Sequence, residues 1–504
     1  MNYYFLGIGG IGMSAIARFF KQSGHTVSGY DRTESPLTKQ LEAEGIDIHY
    51  DDDPNRIPTG IDLVIYTPAV PKDNKEFMQL SASGVAMKKR SQVLGELTRG
   101  KKCIAVAGSH GKTTTSAMIA YLLSKTDIGC SAFLGGIAKN SDSNLLVNTK
   151  SEYVVVEADE FDRSFLQLHP YYSVITATDP DHLDVYGTTE HMLEAYEQFA
   201  NQTQPDGAIF LKEGVAGHHH HHDDEEYEHT HEACDQHHGE DEHGHDHHGH
   251  ANEAHDDEEH HHGLKIGEEI EQFSYSAHSI ETDYYAINVR NYNGNIFFDL
   301  RTPEKVIYDL ELEASCLYNV ENAVAASAVA LRCGLDEYQL RYGLKTFAGI
   351  RRRFDFHIKE KTLVYIDDYA HHPKEISATI ESVKFLYPDK RIVGVFQPHL
   401  YSRTRDFADA FAEALSPLDE IILIPLYPAR EKPIPGVGSG MILRKIASMN
   451  KYLTTREELA DLVIALCPDV VVTMGAGDID RLVPQLEARL REDILDESPS
   501  GNQQ

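Results

Sequence analysis

The chain has 504 residues and a formal net charge of −34, and 41% of its residues are hydrophobic. This length exceeds what one hydrophobic core supports and predicts about three domains. The strong negative charge excludes a nucleic-acid-binding surface. The six cysteines contain no CxxC pair, which excludes a disulfide framework and a thiolate zinc site and favours the cytoplasm. No run reaches the roughly 18 apolar residues of a membrane span, so none is predicted.

The N-terminal segment predicts a strand, a glycine-rich turn and a helix. Asn2 to Leu6 form the predicted strand, and the helix runs to about Gln22. A second strand, His25 to Tyr30, ends at an acid about 20 residues after the turn, as in units that bind a diphosphate at a helix N-terminus. Residues 1–100 are therefore a predicted Rossmann-like domain for NAD or a nucleotide sugar. Its candidate ligand-binding residues are Gly7, Gly9, Gly10, Gly12 and Asp31.

The most informative motif is a second glycine-flanked turn, which follows the apolar run Cys103 to Ala107. Lys112 offers a point charge for the β- and γ-phosphates, and the Thr113 hydroxyl can ligate Mg²⁺. The turn is shorter than a common phosphate loop, because only Ser109 and His110 separate its glycines. We expect ATP binding in a central domain over residues 101–347, through Gly108, Ser109, His110, Gly111, Lys112, Thr113 and Thr114.

Acidic and imidazole groups follow two later strands of this domain. The strand Tyr153 to Val156 ends in Glu157, and the strand Ser173 to Ala177 is followed by His182. Carboxyl ends of parallel strands are where open α/β sheets bind their ligands. Asp159, Asp162 and Asp184 stand nearby and are equally well explained as helix caps.

Residues 348–504 predict a third, small doubly wound α/β domain. Its strands, Leu363 to Ile366, Arg391 to Phe396, Glu420 to Ile424 and Val470 to Thr473, alternate with helical segments. The last residues, Glu492 to Gln504, are predicted to form a solvated tail.

A histidine-rich tract interrupts the central domain. Residues 218–262 hold 18 His and 16 Asp or Glu with no Lys or Arg, so almost half of the net charge is local. The tract lacks apolar periodicity and predicts a disordered surface insertion. Clustered imidazoles and carboxylates could chelate Zn²⁺ or Ni²⁺, and a solvated insertion without a role is the equal alternative.

Six ordered motifs make the chain similar to the Mur ligase family over nearly its whole length outside the tract. They are GIGGIGMS from Gly7, GSHGKTTT from Gly108, EADEFD from Glu157, DHLD from Asp181, DDYAHHP from Asp367 and QPHLYSRTRD from Gln397. The resemblance implies a nucleotide-sugar domain, a central ATPase domain and a C-terminal domain that brings an amino acid. It also implies activation of a substrate carboxylate by the ATP γ-phosphate, followed by attack of an amine on the acyl phosphate.

The resemblance assigns roles to particular residues. Lys112, Glu157 and His182 are the expected catalytic residues, and Thr113, Glu157 and His182 the expected ligands of Mg²⁺, for which Mn²⁺ may substitute. Asn319 or Asn322 is expected to face adenine, and Arg353 and Asp367 to contact the nucleotide from the third domain. His371, His399 and Arg403 are expected to surround the amino acid, because a guanidinium can bind both oxygens of its carboxylate.

One position narrows the choice within the family. Members that add later stem-peptide residues resemble one another in a carbamylated lysine fifteen residues after the first Asp of the DHLD motif, where this chain has Tyr196. This favours the member that joins L-alanine to UDP-N-acetylmuramate in peptidoglycan precursor synthesis. The alternatives are the member that attaches a recycled tripeptide, an NAD-dependent oxidoreductase and a metal-buffering module. Leu400 departs from the pattern, since many relatives have a basic residue there.

Overall fold

The computed structural model describes residues 1–180, 183–215, 263–313, 315–429 and 431–495. In this part of the chain the strands form three sheets, of five, ten and six strands. Helices cover the sheets, so the predicted α/β class is confirmed. No helix among the described residues is long and apolar enough to cross a membrane.

The first sheet is entirely parallel, in the order β3-β2-β1-β4-β5. Its central strand runs Asn2–Leu6 and is buried after its first residue, which is typical of a parallel strand covered on both faces. The elements are β1 (Asn2–Leu6), α1 (Ile11–Gln22), β2 (Thr26–Tyr30), α2 (Pro36–Ala43), β3 (Asp47–His49), β4 (Leu63–Tyr66), α3 (Lys75–Ser83), β5 (Met87–Lys89) and α4 (Arg90–Thr98).

The second sheet combines a parallel core with antiparallel margins. Strands β6 and β10 are neighbours at its centre, and β13, β14 and β15 form an antiparallel meander at one edge. The elements are β6 (Lys102–Ala107), α5 (Lys112–Ser124), β7 (Ser131–Ala138), β8 (Ser143–Leu146), β9 (Tyr153–Glu157), β10 (Tyr172–Ile175), α6 (Leu183–Tyr186), α7 (Thr189–Ala200), β11 (Ala208–Lys212), β12 (Glu271–Ser276), β13 (Tyr284–Tyr292), β14 (Asn295–Arg301), β15 (Val306–Leu312), α8 (Asn319–Arg332) and α9 (Glu337–Thr346).

The third sheet has the order β16-β17-β21-β18-β19-β20 and is parallel except for its edge strand β16. The elements are β16 (Asp355–Lys359), β17 (Val364–Asp368), α10 (Pro373–Leu386), β18 (Ile392–Phe396), α11 (Tyr401–Asp406), α12 (Ala408–Leu415), β19 (Glu420–Leu423), α13 (Ser439–Lys445), β20 (Lys451–Leu453), α14 (Leu459–Ala465), β21 (Val470–Met474) and α15 (Val483–Leu490).

The first and second sheets are held together through α1. Its residues Ile16 and Phe20 share a buried cluster with Phe133 of β7. On β8, the side-chain amide of Asn144 donates to the carbonyl of Ile11 at 2.6 Å. The first turn of α1, and with it the glycine turn, is therefore fixed against the central sheet.

The histidine-rich tract leaves and re-enters the fold at one point. The N–H of Leu264 donates to the carbonyl of Val215 at 3.1 Å, and both side chains are buried. The predicted insertion 218–262 and its proposed Zn²⁺ or Ni²⁺ binding lie outside the described residues. The backbone that flanks the tract is thus already joined by a hydrogen bond.

The prediction of a solvated tail was wrong for its first residues. Arg491–Leu495 continue the last helix as one π-helical turn, and Ile494 and Leu495 pack against the core of the third sheet. These two apolar side chains explain why this stretch folds back. The predicted domain limits at residues 100 and 347 stay predictions.

Candidate active site

The phosphate loop joins β6 to α5 as its motif predicts. Gly108 has φ +133° and Gly111 has φ +82°, and a Cβ on Gly108 would collide with Thr176 of the neighbouring strand end. Glycine is therefore required at both turns. The Ser109 hydroxyl donates to the carbonyl of Asp179 at 2.6 Å, which ties the loop to the end of the adjacent strand.

Lys112 is a largely but not fully buried cation at the start of α5. Its Nζ lies 2.8 Å from Oε1 of Glu160, whose side chain is only 3% exposed, and also donates to the carbonyl of Gly108. Burial favours the neutral amine, but Glu160 and Glu157 outweigh it and raise the pKa of Lys112. The ammonium is therefore held charged inside the loop that we expect to bind ATP phosphates.

The segment from Glu157 to Asp162 distributes its carboxylates over three partners. Asp159 pairs with Arg90 at 2.7 Å and Asp162 with Lys89 at 2.8 Å, both at the start of α4. Asp159 also accepts from the N–H of Phe161, so the capping alternative is partly right for it. Glu160 holds Lys112.

Glu157 remains available for a ligand. Its Oε2 is buried without a hydrogen-bond partner in the described part of the chain, and a Cβ on Gly135 would collide with its carboxylate. An orphaned buried carboxylate oxygen beside a phosphate loop suits Mg²⁺. No group of three or more His, Cys, Asp or Glu that could hold a metal lies within the described ranges. His182, the third predicted metal ligand, lies outside them.

The glycine turn of the first sheet and its acid are brought together. The N–H of Gly9 donates to Oδ2 of Asp31 at 2.7 Å, and a Cβ on Gly9 would crowd the same carboxylate. Gly7 has φ +84°, and Gly10 and Gly12 open α1. Asp31 is thus engaged with the turn itself.

Asn322 touches the phosphate loop, whereas Asn319 lies farther from it. The Thr115 hydroxyl donates to Oδ1 of Asn322 at 3.1 Å, and the Asn322 amide donates to Asn319 at 2.8 Å. Asn319 and Arg353 line a cavity between the second and third sheets, together with Phe347 and Phe354. Both asparagines are therefore placed between the loop and this cavity.

Asp367 lies near the carboxyl end of β17. It is 2% exposed, accepts from the Thr473 hydroxyl at 2.7 Å and has Nε of Arg352 at 3.7 Å. Burial raises its pKa to about 6, against the opposing effects of Thr473 and Arg352. Arg353 and Arg352 both lie over the ring of Tyr369.

His371, His399 and Arg403 are neighbours in the third domain. The two imidazoles are 6.2 Å apart between ring centroids, and His399 stacks on Tyr427. Burial, His371 and Arg403 together lower the pKa of His399 to about 4. The Arg403 guanidinium makes no hydrogen bond or ion pair with any side chain in the described ranges. Arg403 therefore keeps its positive charge without a paired carboxylate, beside two imidazoles whose pKa values are lowered.

Glu375 joins this cluster to the phosphate loop. Its carboxylate accepts from the N–H of His371 at 2.9 Å and lies 3.6 Å from Nδ1 of His110. Burial would raise its pKa, but His110 and His371 outweigh burial and hold it far below the usual range. Lys374 on the same turn pairs with Asp179 at 2.9 Å. The predicted ATP and amino-acid residues therefore meet at the first turn of α10.

Sequence reasoning missed the partners of these groups. Glu375 received no role, although it is the second residue after the DDYAHHP motif. Arg90 and Lys89 also received none, although they stand at the carboxyl end of the parallel strand β5, the position that identified Glu157. Tyr196 lies in the core, edge-on to Phe165 at 5.3 Å, rather than in the cleft.

Three α/β sheets, with the glycine-flanked loop of the second sheet next to the His371 and Arg403 cluster of the third, agree with the result of sequence comparison. Profiles of the Mur ligase family catalytic domain, middle domain and glutamate ligase domain match residues 2–102, 106–330 and 352–477. The chain belongs to the Mur ligase family.

Individual relatives narrow this class. The chain is 45% identical to a UDP-N-acetylmuramate–L-alanine ligase of Parabacteroides distasonis, over 97% of each chain. It is also 45% identical to the enzyme of that name from Phocaeicola vulgatus, over 96% of this chain and 97% of the relative. The crystal structure of UDP-N-acetylmuramate-alanine ligase from Thermotoga maritima is similar at a TM-score of 0.75 and 27% identity, covering 98% of this chain and 99% of that one.

Proposed function

We propose that this protein joins L-alanine to UDP-N-acetylmuramate with hydrolysis of ATP to ADP and phosphate. The observation that carries the proposal is the contact between the phosphate loop and the start of α10, through His110 with Glu375 and Asp179 with Lys374, next to His371 and Arg403. The names of the relatives at 45% identity over nearly the full chain support the choice of substrates. Because the reaction uses ATP and a nucleotide-linked sugar, both of which are made and kept inside the cell, we place it in the cytoplasm.

The first chemical step joins a carboxylate to a phosphoryl group. An oxygen of the UDP-N-acetylmuramate carboxylate attacks the γ-phosphorus of ATP, the bond to the β-γ bridging oxygen breaks, and ADP leaves. Both reactants are anions, so the fixed charge of Lys112 lowers their repulsion. Thr113 and Glu157, with His182, are the residues that would hold Mg²⁺. When bound, this ion neutralises phosphate and carboxylate charge.

The second step forms the amide. The alanine amine attacks the carbonyl carbon of the acyl phosphate, phosphate leaves, and the amine must lose its proton. In this proposal Arg403 binds the alanine carboxylate through both of its oxygens. Burial lowers the pKa of His371, and its Nδ1 lies 3.0 Å from the carbonyl of Tyr369. Nδ1 therefore carries the hydrogen, and Nε2 of the neutral ring is able to accept the proton.

Phosphate release tests the proposal. ATP, Mg²⁺, UDP-N-acetylmuramate and L-alanine together should give one phosphate per amide formed, whereas omission of any one of them should stop release. A parallel reaction replaces alanine with a tripeptide that begins with L-alanine. A preference for the tripeptide would support the recycling ligase instead. Release that needs no amino acid, or oxidation of NADH by the protein, would contradict the proposal.

A further inference from the structure

A cavity lies between the first turn of α1 and the carboxyl ends of the central strands. Gly12 and Arg90 line it from the first domain, and Gly135, Glu157 and Asp159 line it from the second. It therefore connects the glycine turn, where we place a diphosphate, with the carboxylate beside the phosphate loop. Of the residues that the sequence predicts to bind the sugar nucleotide, only Gly12 lines this cavity.

The described residues that line this cavity include one cationic and two acidic side chains. Among the described residues that line it, Arg90 carries the only positive charge, and Glu157 and Asp159 carry carboxylates. An anionic substrate that enters between two carboxylates requires a fixed cation, because like charges repel strongly where water is excluded. Arg90 is 19% exposed, so its guanidinium is reachable but largely shielded from solvent.

The guanidinium of Arg90 is oriented by a neighbour and has a second edge to offer. Nη2 donates to Oδ2 of Asp159 at 2.7 Å. Nη1 lies over the first turn of α1, where a Cβ on Gly12 would collide with it. A planar guanidinium can hold one carboxylate with one nitrogen and bind a further oxyanion with the other. Asp159 thus fixes the plane of the group that faces the glycine turn.

We propose that Arg90 binds an anionic oxygen of the sugar-nucleotide substrate, an inference that rests on the proposed function. The substrate carries negative charge at both ends of the cavity, in its diphosphate and in its reacting carboxylate. Gly12, Arg90 and Glu157 line the same cavity, and Nη1 of Arg90 lies next to Gly12. Asp159 acts through Arg90 and is a positioning residue.

Lys89 provides a matched control. It precedes Arg90 at the same helix start and forms an ion pair with Asp162 at 2.8 Å, but it does not line the cavity. Arg90→Gln and Lys89→Gln therefore remove one positive charge each from the same place in the fold. Only the first removes it from the cavity.

Calorimetric titration of UDP-N-acetylmuramate, UDP-N-acetylglucosamine and ATP into the full-length variants tests the proposal. Arg90→Gln should weaken binding of UDP-N-acetylmuramate about ten- to a hundredfold, as expected for loss of a hydrogen bond to a charged group. ATP affinity should stay within about twofold, and Lys89→Gln should leave all three affinities within about twofold. Arg90→Lys should restore part of the loss, and a cooperative melt shows that each variant is folded.

Two arms separate the source of the anion. UDP-N-acetylglucosamine has the diphosphate but lacks the lactyl carboxylate, so an equal loss of its binding identifies the diphosphate, and an unchanged binding identifies the carboxylate. Undiminished binding of UDP-N-acetylmuramate to Arg90→Gln would overturn the proposal. So would Asp159→Asn with a loss as large as that of Arg90→Gln, since the ion pair alone would then explain it. Failure of the wild-type protein to bind this nucleotide would instead contradict the proposed function.

Discussion

At the residue scale, Arg403 is defined by the partners that it lacks. The neighbouring Arg405 is paired with Asp406 at 2.7 Å, whereas the Arg403 guanidinium has no ion pair with any described residue. Because this guanidinium lies beside two imidazoles of lowered pKa and has no paired carboxylate, we expect it to bind a carboxylate from outside the protein.

Arg403→Lys should therefore raise the KM for L-alanine, because lysine keeps the charge and loses the two-pronged geometry. We expect an increase of roughly tenfold or more, with the KM for ATP little changed. Steady-state phosphate release measures both constants. Arg405→Lys is the control, and an unchanged alanine KM in Arg403→Lys would assign this residue to the surface.

His399 should make stability depend on pH. Its pKa in the folded protein is about 4, below its ordinary value of 6.5. Between these values the unfolded state binds more protons, so the contribution of His399 to the free energy of unfolding is constant above pH 6.5 and is lost as the pH falls towards 4. His399→Gln should flatten this part of the profile in urea melts. Equal profiles for wild type and His399→Gln would contradict the assignment.

At the scale of elements, α3 is fastened to the first sheet by a buried carboxylate. Glu76 is fully buried and accepts from the Tyr4 hydroxyl, while one of its oxygens lies 2.7 Å from Nε2 of His49 and accepts from the N–H of Asp53 at 3.3 Å. Every partner of this carboxylate belongs to a strand or to the loop that follows one. The helix is thus positioned by polar contacts as well as by Leu80.

Glu76→Ala should lower the free energy of unfolding by about 3 kcal/mol or more, because it leaves buried donors without an acceptor. Glu34→Ala is the matched control. It breaks an ion pair with Lys39 whose side chains are 55% and 63% exposed, which should cost under about 1 kcal/mol. Denaturant melts followed by circular dichroism compare the two. Equal losses would show that the buried network contributes nothing of its own.

Parallel strands were predictable and the antiparallel edge was not. Continuous hydrophobicity followed by glycine predicts both the strand Asn2–Leu6 and the strand that ends at Ala107. In β13 the burial pattern alternates weakly and is interrupted by a bulge between Ile287 and Arg290, so no clear period of two survives in the sequence. Glu375 and Arg90 were missed because their roles depend on another domain, which no local pattern encodes.

At the scale of the whole molecule, the two described chain ends that flank the histidine-rich tract are joined by a hydrogen bond. Because Leu264 donates to the carbonyl of Val215, excision of residues 218–262 with a short Gly/Ser linker should leave the core intact. We expect kcat and the KM values of both substrates to stay within about twofold. We expect any Zn²⁺ or Ni²⁺ binding by the wild-type protein that depends on the tract to be lost with it. A folded variant, shown by an unchanged cooperative melt, that has lost ligase activity would give the tract a catalytic role.

The tyrosine at position 196 removes one way in which dissolved carbon dioxide could affect activity. A carbamylated lysine forms from an amine and carbon dioxide and reverts when carbon dioxide is removed. Here a phenol, fully buried in α7 against Phe165, occupies the corresponding position. Ligation should therefore proceed at the same rate in degassed, bicarbonate-free buffer as in buffer equilibrated with carbon dioxide. The rate of ligation would then be independent of the concentration of carbon dioxide and bicarbonate.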